Sequence, residues 1–172
     1  ARDVYKRQIL APAQQLVRAT WQKWAIITHN DCAVLSSETR PYNAFKRSDW
    51  SEHCKGLAEL SKVTIVAEHE WEKSAESLLF DTRPPVVPND CMLQHFQGIE
   101  VKSKQPCFDK DMAILMDFRV DQSRGMHFIY LLPYSATEAL VESTLFSTEL
   151  VDEEFYSTSI EGYLKEHCKV EE

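Results

Sequence analysis

The chain has 172 residues, of which 44% are hydrophobic, and its 19 basic and 27 acidic side chains give a formal net charge of -8. This length suits one domain with a sizeable core, and the acidic balance without a basic cluster argues against nucleic acid as a partner. No apolar run reaches the roughly 18 to 20 residues that span a bilayer, and no signal-peptide core is evident. We therefore expect a cytoplasmic protein, with peripheral membrane contact still open.

The cysteines and histidines form no ligand pattern. The five cysteines stand singly, and an odd number at wide spacing fits neither a disulfide framework nor a zinc site. The six histidines make no HxxxH or HExxH pair. We expect reduced thiols and no metal site.

The first eight residues, "ARDVYKRQ", differ in character from the rest. The segment "DVYKRQ" resembles the translation of a transposon-type sequencing adaptor, and such a segment is excluded from fold reasoning. We expect residues 1–8 to be an assembly scar and residues 9–172 to be a single partial domain of a longer protein. An ordinary basic N-terminal arm is the alternative.

Residues 9–83 predict mixed strands and helix. After a helical or irregular start, "KRSDWSEHCKGLAEL" places its apolar residues on one helical face, and Ser48 or Asp49 is the expected cap. Four other runs have the composition of strands, and the turn "HND" joins the first two. These runs are "WAIIT", "CAVLSS", "KVTIVAEHE" and "ESLLFD".

Three prolines in "DTRPPVVP" end regular structure and mark an internal boundary. Residues 84–150 then predict an antiparallel meander of four strands joined by short polar turns. The strands are "MLQHFQGIEVKS", "MAILMDFRV", "MHFIYLLP" and "EALVESTLFS". Residues 151–170 predict a helix with an apolar stripe on one side. The stripe consists of Phe155, Tyr156, Ile160, Tyr163 and Leu164.

One carboxylate stands among apolar residues in the last predicted strand. If "EALVESTLFS" is extended, Glu142 shares a face with Leu140 and Phe146. An acid among apolar neighbours is costly as an anion, so its pKa is expected to rise until it can donate a proton near neutral pH. The alternative is a solvated glutamate on an edge strand or on the open face of the sheet.

Four stretches, taken in order, resemble the lycopene cyclase family, the flavin-dependent enzymes that close the ionone rings of carotenoids. "LLFDTRPP" resembles the family's "FDSRPP" crossing, and "LQHFQGIEV" resembles the strand that follows it. "MDFRVDQ" resembles the "MDFR" element, and "FIYLLPYSATEALVESTLFS" resembles the "FLYVLPFSPTEALVE-T" strand pair. The resemblance is strong over residues 78–147 and weaker, but colinear, over residues 21–50.

The resemblance implies an α/β fold, here an α+β fragment of an FAD/NAD(P)-binding Rossmann-type flavoprotein of the hydroxybenzoate hydroxylase kind. An antiparallel substrate-binding sheet with flanking helices would dominate this fragment. The four glycines are isolated and form no GxGxxG dinucleotide motif. We therefore expect FAD, reduced by NAD(P)H, to be held largely by residues outside this chain, and the isolated fragment to be inactive.

The resemblance also implies the reaction and its residues. Glu142 would protonate a terminal double bond of a lycopene-like carotenoid, and Asp117 would support Glu142 or line the cation pocket. Asp81 and Arg83 would lie near the flavin. The expected lining of the substrate pocket consists of Arg119, His95, Phe118 and Tyr130. Plant members carry a second glutamate where this chain has Ser143, so the need for two acids stays open.

Simpler roles and other functions are open beside this hypothesis. Asp117 and Arg119 could be a solvated surface pair, and His95 could be a satisfied sheet histidine. The leading function is a redox-neutral intramolecular lyase or isomerase at a membrane surface. The alternatives are a flavin-dependent monooxygenase or reductase of the same superfamily, and a non-catalytic lipid-binding sheet domain.

Overall fold

A computed structural model describes residues 11–66, 78, 80, 88 and 91–168 of the protein. Over these residues the chain is a mixed α/β structure with a six-stranded mixed sheet and two α-helices, which is consistent with the predicted α+β class. Some predictions lie outside the described residues. They are the scar at residues 1–8, most of "ESLLFD" and "DTRPPVVP", and the candidate cofactor residues Asp81 and Arg83.

The chain divides into two compact units. The first unit comprises residues 1–17 and 45–89, and its described part contains a 3-10 helix at Ala11–Leu16 and helix α1 at Arg47–Leu60. The second unit comprises residues 18–44 and 90–172 and contains the strands and helix α2 at Glu153–His167. Neither α-helix of the described part is long and apolar enough to cross a membrane.

Helix α1 ends at Leu60 as the pattern predicts, but its cap and the segment that follows it differ from the prediction. The expected cap was wrong, because the helix begins after Lys46 without a side-chain cap and the Ser48 hydroxyl donates to Asp49 at 3.0 Å instead. Residues 63–66, the described start of the predicted strand "KVTIVAEHE", are not in a strand. Lys62, with a φ of 56°, takes the left-handed conformation that commonly ends a helix.

The six-stranded sheet of the second unit has the strand order β3-β2-β6-β7-β8-β5. Its neighbouring strands are antiparallel except for the parallel pair β2 and β6, and β1 and β4 form a separate two-stranded ribbon. The strands are β1 at Ala19–Trp21, β2 at Lys23–Ile27, β3 at Cys32–Ser36, β4 at Tyr42–Ala44, β5 at Leu93–Lys102, β6 at Met112–Asp117, β7 at Met126–Pro133 and β8 at Glu138–Ser147.

The predicted four-strand meander is correct for three strands and wrong for the first. Strands β6, β7 and β8 are successive antiparallel neighbours, but β5 pairs with β8 and not with β6. The other edge of β6 is occupied by β2, so β5 takes the free edge of β8. The connection between β5 and β6 is fixed by the β7–β8 turn, where the Ser103 and Cys107 amides donate to the Thr137 and Ala136 carbonyls at 2.9 Å each.

Helix α2 packs on one face of the sheet, which we call the helix face. Its first turn is capped by Asp152, whose carboxylate accepts the Phe155 amide at 2.9 Å. Four of the five residues of the predicted stripe are buried, and Phe155 is half-buried. Ile160, Tyr163 and Leu164 of this stripe form one hydrophobic core with residues of β7 and β8, namely Ile129, Leu131, Ala139 and Val141.

The opposite side of the sheet, which we call the acid face, is partly covered by the two-stranded ribbon. Trp21 of β1 is almost fully buried with Ala113 and Leu132. Its indole Nε1 donates to the Pro133 carbonyl at 3.1 Å, so this large ring buries its apolar surface without losing a hydrogen bond. At the far edge of the sheet, every residue of β3 is exposed.

Gly125 in the turn before β7 should be intolerant of a side chain. Its φ is +146°, and an added Cβ would lie 2.2 Å from the Phe146 carbonyl oxygen. We expect Gly125→Ala to lower the free energy of unfolding by about 3 kcal/mol, because both backbone strain and overlap must be relieved. Chemical denaturation measures this change.

Gly162→Ala is the matched control, since no atom lies within 4 Å of a Cβ added there on helix α2. It should raise the free energy of unfolding by about 0.5 kcal/mol. Equal stability of the two variants would contradict the turn geometry.

Candidate active site

Glu142 lies in the middle of β8 on the acid face. It pairs with Gly98 of β5 on one side and with Tyr130 of β7 on the other, so the three residues form one cross-strand row. The next residue, Ser143, pairs with the core residue Ile129 and therefore points to the helix face. The predicted alternation is confirmed, and it places Glu142 opposite to helix α2.

The carboxyl group of Glu142 is half-buried and has one hydrogen-bond donor on its own strand. The Thr144 hydroxyl donates to Oε1 at 3.0 Å. Burial raises the pKa of Glu142, and the hydrogen bond from Thr144 lowers it by less, so the net shift is upward. This is the direction that its apolar neighbours predict.

The absence of a side chain at Gly98 leaves space beside this carboxyl group. A Cβ placed on Gly98 would lie 3.4 Å from Glu142 Oε2 and 3.4 Å from Leu140 Cδ1. Gly98 is itself exposed on β5, which is an edge strand of the sheet. Oε2 therefore borders a gap in the acid face.

Aromatic rings occupy the other side of Glu142. The ring of Tyr130 lies 5.3 Å from that of Phe128, which in turn lies 5.4 Å from Phe118 and 6.2 Å from Phe146. Burial raises the pKa of Tyr130, with smaller contributions from Tyr42 and Glu142. The expected pocket residues Phe118 and Tyr130 are thus in the same aromatic cluster as Phe128, beside Glu142.

Asp117 lies on the helix face, away from Glu142. It pairs with Ile129, the residue that also pairs with Ser143. Arg119 holds it through Nε at 2.9 Å and Nη2 at 2.7 Å, and the Tyr163 hydroxyl donates to it at 2.8 Å. The structure does not bring Asp117 and Glu142 together, and a catalytic role for Asp117 stays a prediction.

The charge of Asp117 is stabilised although the side chain is fully buried. Burial raises the pKa of Asp117, but the hydrogen bonds from Arg119 and Tyr163 together outweigh it, so the net shift is downward. Burial is the largest cause of the raised pKa of Tyr163, and its contact with Asp117 raises that pKa further. Asp117 is therefore a buried carboxylate that is hydrogen-bonded to a partly exposed Arg119, and the two are not a solvated surface pair.

Arg119 and His95 also lie on the helix face. Arg119 lines a cleft of about 620 Å³ between the β6–β7 turn and α2, together with Phe155 and Tyr163. His95 pairs with Leu145 and hydrogen-bonds through Nε2 to Ser147 Oγ at 2.8 Å and through Nδ1 to the Tyr156 hydroxyl. The structure thus places neither residue next to Glu142.

The sequence did not predict a second histidine–serine hydrogen bond, between His127 and Ser143. His127 is fully buried, and its Nδ1 donates to the Asp121 carbonyl at 2.8 Å while its Nε2 accepts the Ser143 hydroxyl at 2.7 Å. Burial lowers the pKa of His127, which keeps the ring neutral. The available signal was that Ser143 directly follows Glu142, so alternation turns it toward the helix face.

The described residues contain no glycine-rich turn for the pyrophosphate of a flavin dinucleotide. The usual site for its pyrophosphate is a glycine-rich turn at a helix N-terminus, and the glycines of this chain are isolated. The N-terminus of α2 is closed by its Asp152 cap and carries Glu153 and Glu154, which repel an anion.

The chain is similar to known proteins over most of its length. Residues 5–172 match the family described as "Lycopene cyclase protein". A segment of 54 residues is 41% identical to the lycopene beta-cyclase of Paracoccus sp. (strain N81106 / MBIC 01143), and it covers 31% of this chain and 14% of that protein. The match thus spans a small part of that relative's length.

Asp117→Asn should destabilise the protein without any change at Glu142. Asparagine weakens the charge-assisted hydrogen bonds at a fully buried position, while Arg119 stays partly solvated, so we expect the free energy of unfolding to fall by about 2 kcal/mol at pH 7. Tyr163→Phe should cost about 1 kcal/mol, because the ion pair persists without one hydrogen bond.

The difference between Asp117→Asn and the parent protein should depend on pH. The pKa of Asp117 is lower in the folded state than in the unfolded state, so its contribution to stability is present above the unfolded value and is lost as the pH falls through the folded one. Denaturation curves should therefore begin to converge as the pH falls below about 4, and they should coincide only below the folded pKa of Asp117. A gap that is constant with pH would contradict the ion pair.

Proposed function

The chain belongs to the lycopene cyclase family, and from that premise we propose that it carries the proton-donating face of an enzyme that cyclises the ends of a linear carotenoid. The observation that carries the proposal is Glu142, a half-buried carboxyl group whose pKa is raised by burial. Such a group keeps its proton closer to neutral pH than a solvated glutamate does, which is what a general acid needs.

The proposed reaction begins with proton transfer from Glu142 to the terminal double bond of an acyclic end group. The resulting carbocation closes a six-membered ring by attack of a neighbouring double bond, and a proton then leaves the ring cation. One proton enters and one proton leaves, so the reaction is redox-neutral, and the enzyme class is that of an intramolecular lyase or isomerase.

The aromatic cluster beside Glu142 suits the intermediate. The faces of aromatic rings attract cations, and Tyr130 and Phe128 lie next to the acid, with ring centroids 5.3 Å apart. Apolar walls also keep out the water that would quench a carbocation. We propose that these rings line the cation pocket together with Phe118.

The acid face suits a long apolar substrate. Phe146 pairs with Met126 near the end of β8. Phe96 pairs with Thr144, which lies between Glu142 and Phe146 on the same face of that strand. Glu142 and Phe146 are four residues apart on one strand, a distance of about 13 Å. Phe96 is 59% exposed and Met126 49% exposed, so a polyene chain could lie along this strip with its end at the carboxyl group.

The intact enzyme would contain more than this chain. We propose that its fold is the Rossmann-type flavoprotein fold and that FAD, reduced by NAD(P)H, is held by residues outside the described part, with Asp81 and Arg83 among them. Because carotenoids reside in bilayers, we also propose that the intact enzyme is cytoplasmic and docks peripherally on a membrane surface.

Glu142→Gln should abolish ring closure in the intact enzyme. Glutamine keeps the size of the side chain but has no acidic proton, so cyclic product should fall at least about 100-fold. Pigment analysis of lycopene-producing cells that express the intact gene measures this.

Glu138→Gln is the matched control, since Glu138 lies on the same strand and face and pairs with Lys102 at 3.0 Å near the surface. It should leave product yield unchanged. Retained activity of Glu142→Gln would contradict the proposal, and unchanged lycopene with the parent gene would favour the lipid-binding alternative.

The same variant has a distinct effect on stability. Because folding raises the pKa of Glu142, the parent protein should lose stability as the pH rises through that folded value. Glu142→Gln removes this loss. At pH 8 the free energy of unfolding of the variant should equal or exceed that of the parent, and at pH 4 it should be lower than that of the parent. Denaturation of both proteins at the two pH values measures the effect.

A further inference from the structure

The two carboxyl oxygens of Glu142 have different surroundings. Oε1 accepts the Thr144 hydroxyl at 3.0 Å. Oε2 lies toward Gly98, where an added Cβ would approach it to 3.4 Å. The oxygens are therefore not equivalent as proton donors.

The Thr144 hydroxyl makes Oε1 the less favourable of the two oxygens for the acidic proton. Its side chain is fully buried, and its hydroxyl has one hydrogen, which it donates to Oε1. A proton placed on Oε1 as well would face that hydrogen, so the favourable site for the carboxyl proton is Oε2. Thr144 contacts Glu142 through Oε1, so its hydroxyl does not occupy the gap beside Oε2.

Gly98 keeps the space beside Oε2 open. It is exposed on the edge strand β5, and the neighbouring side chains on its face are Phe96 and Glu100. A substrate end group could therefore approach Oε2 from the sheet edge, above a backbone without a side chain.

We propose that Thr144 is a positioning residue that places the acidic proton of Glu142 on Oε2, and that the terminal double bond of the substrate meets Oε2 over Gly98. This inference rests on the proposed function. It adds the atom that donates the proton and the direction from which the substrate arrives.

The titratable and charged groups near Glu142 lie on β8 itself and on its neighbours β5 and β7. Tyr130 faces it from β7, and Tyr42 of β4 acts electrostatically on Tyr130. On β5, Glu100 is ion-paired with Arg18. On β8, Glu138 is ion-paired with Lys102. Because these two ion pairs compensate their own charges, the variants below report mainly on Glu142.

The pH profile of kcat in the intact enzyme tests the role of Thr144. The hydroxyl stabilises the carboxylate, so its loss in Thr144→Val should shift the alkaline limb, where activity falls as the acid loses its proton, to higher pH. We also expect kcat at pH 7 to fall about tenfold, because the proton is no longer directed to Oε2.

Thr144→Ser is the matched control, because it keeps the hydroxyl and removes a methyl group. It should retain the parent's alkaline limb and most of kcat. A structural role alone would lower activity in both variants without moving the limb, and an unmoved limb in Thr144→Val would overturn the inference.

Gly98→Val tests the approach over Gly98 and does not depend on the folding of the Thr144 variants. Valine suits a strand, and its methyl groups would fill the gap beside Oε2. We expect kcat/KM for the carotenoid to fall at least about tenfold, with a smaller loss in Gly98→Ala. Parent-like kcat/KM in Gly98→Val would overturn the assignment of Oε2.

Failure of this inference is distinguishable from failure of the proposed function. If Glu142→Gln is inactive while Thr144→Val and Gly98→Val behave like the parent, the acid is correct and the inference is wrong. If Glu142→Gln is active, the proposed function itself is wrong, and the inference is wrong with it.

Discussion

The register of β8 is the constraint on which the candidate site depends. All 10 residues of this strand pair with β5, and the run from Ala139 to Phe146 pairs with β7 as well. Successive side chains alternate between the faces, so a slip of one residue would send Glu142 into the core under α2 and Ser143 to the acid face. Pairing on both edges excludes that slip, and it thereby separates the acid from the polar groups of the helix face.

A buried carboxyl group, Asp117, and a half-buried one, Glu142, show how surroundings decide the charge of an acid. Asp117 is the more buried, yet Arg119 and Tyr163 stabilise its anion and lower its pKa. Glu142 has a single hydroxyl donor and apolar neighbours, so burial prevails and its pKa rises. The sheet holds an anion on one face and a candidate proton donor on the other, and the depth of burial alone would predict the reverse order.

Local sequence patterns predicted where the strands and helix begin and end better than they predicted which strands pair with each other. The bounds of β7 and β8 and the buried stripe of α2 follow from alternation and helical spacing. The pairing of β5 with β8, the parallel contact of β2 with β6 and the Asp117 bond to Tyr163, 46 residues away, depend on tertiary packing. The missed pair of His127 and Ser143 belongs to the same class, because each residue looks ordinary in its own strand.

Strand β3 has a consequence for handling this chain in solution. It is the last strand of the sheet in the described part, every residue of it is exposed, and its sequence "CAVLS" contains no charge and no proline. An uncharged edge of this kind offers unpaired amides and carbonyls to any other strand, which is a common route to self-association. Concentrated samples of the isolated chain would therefore be expected to aggregate through this edge, and a lysine at Val34 would be the natural gatekeeper.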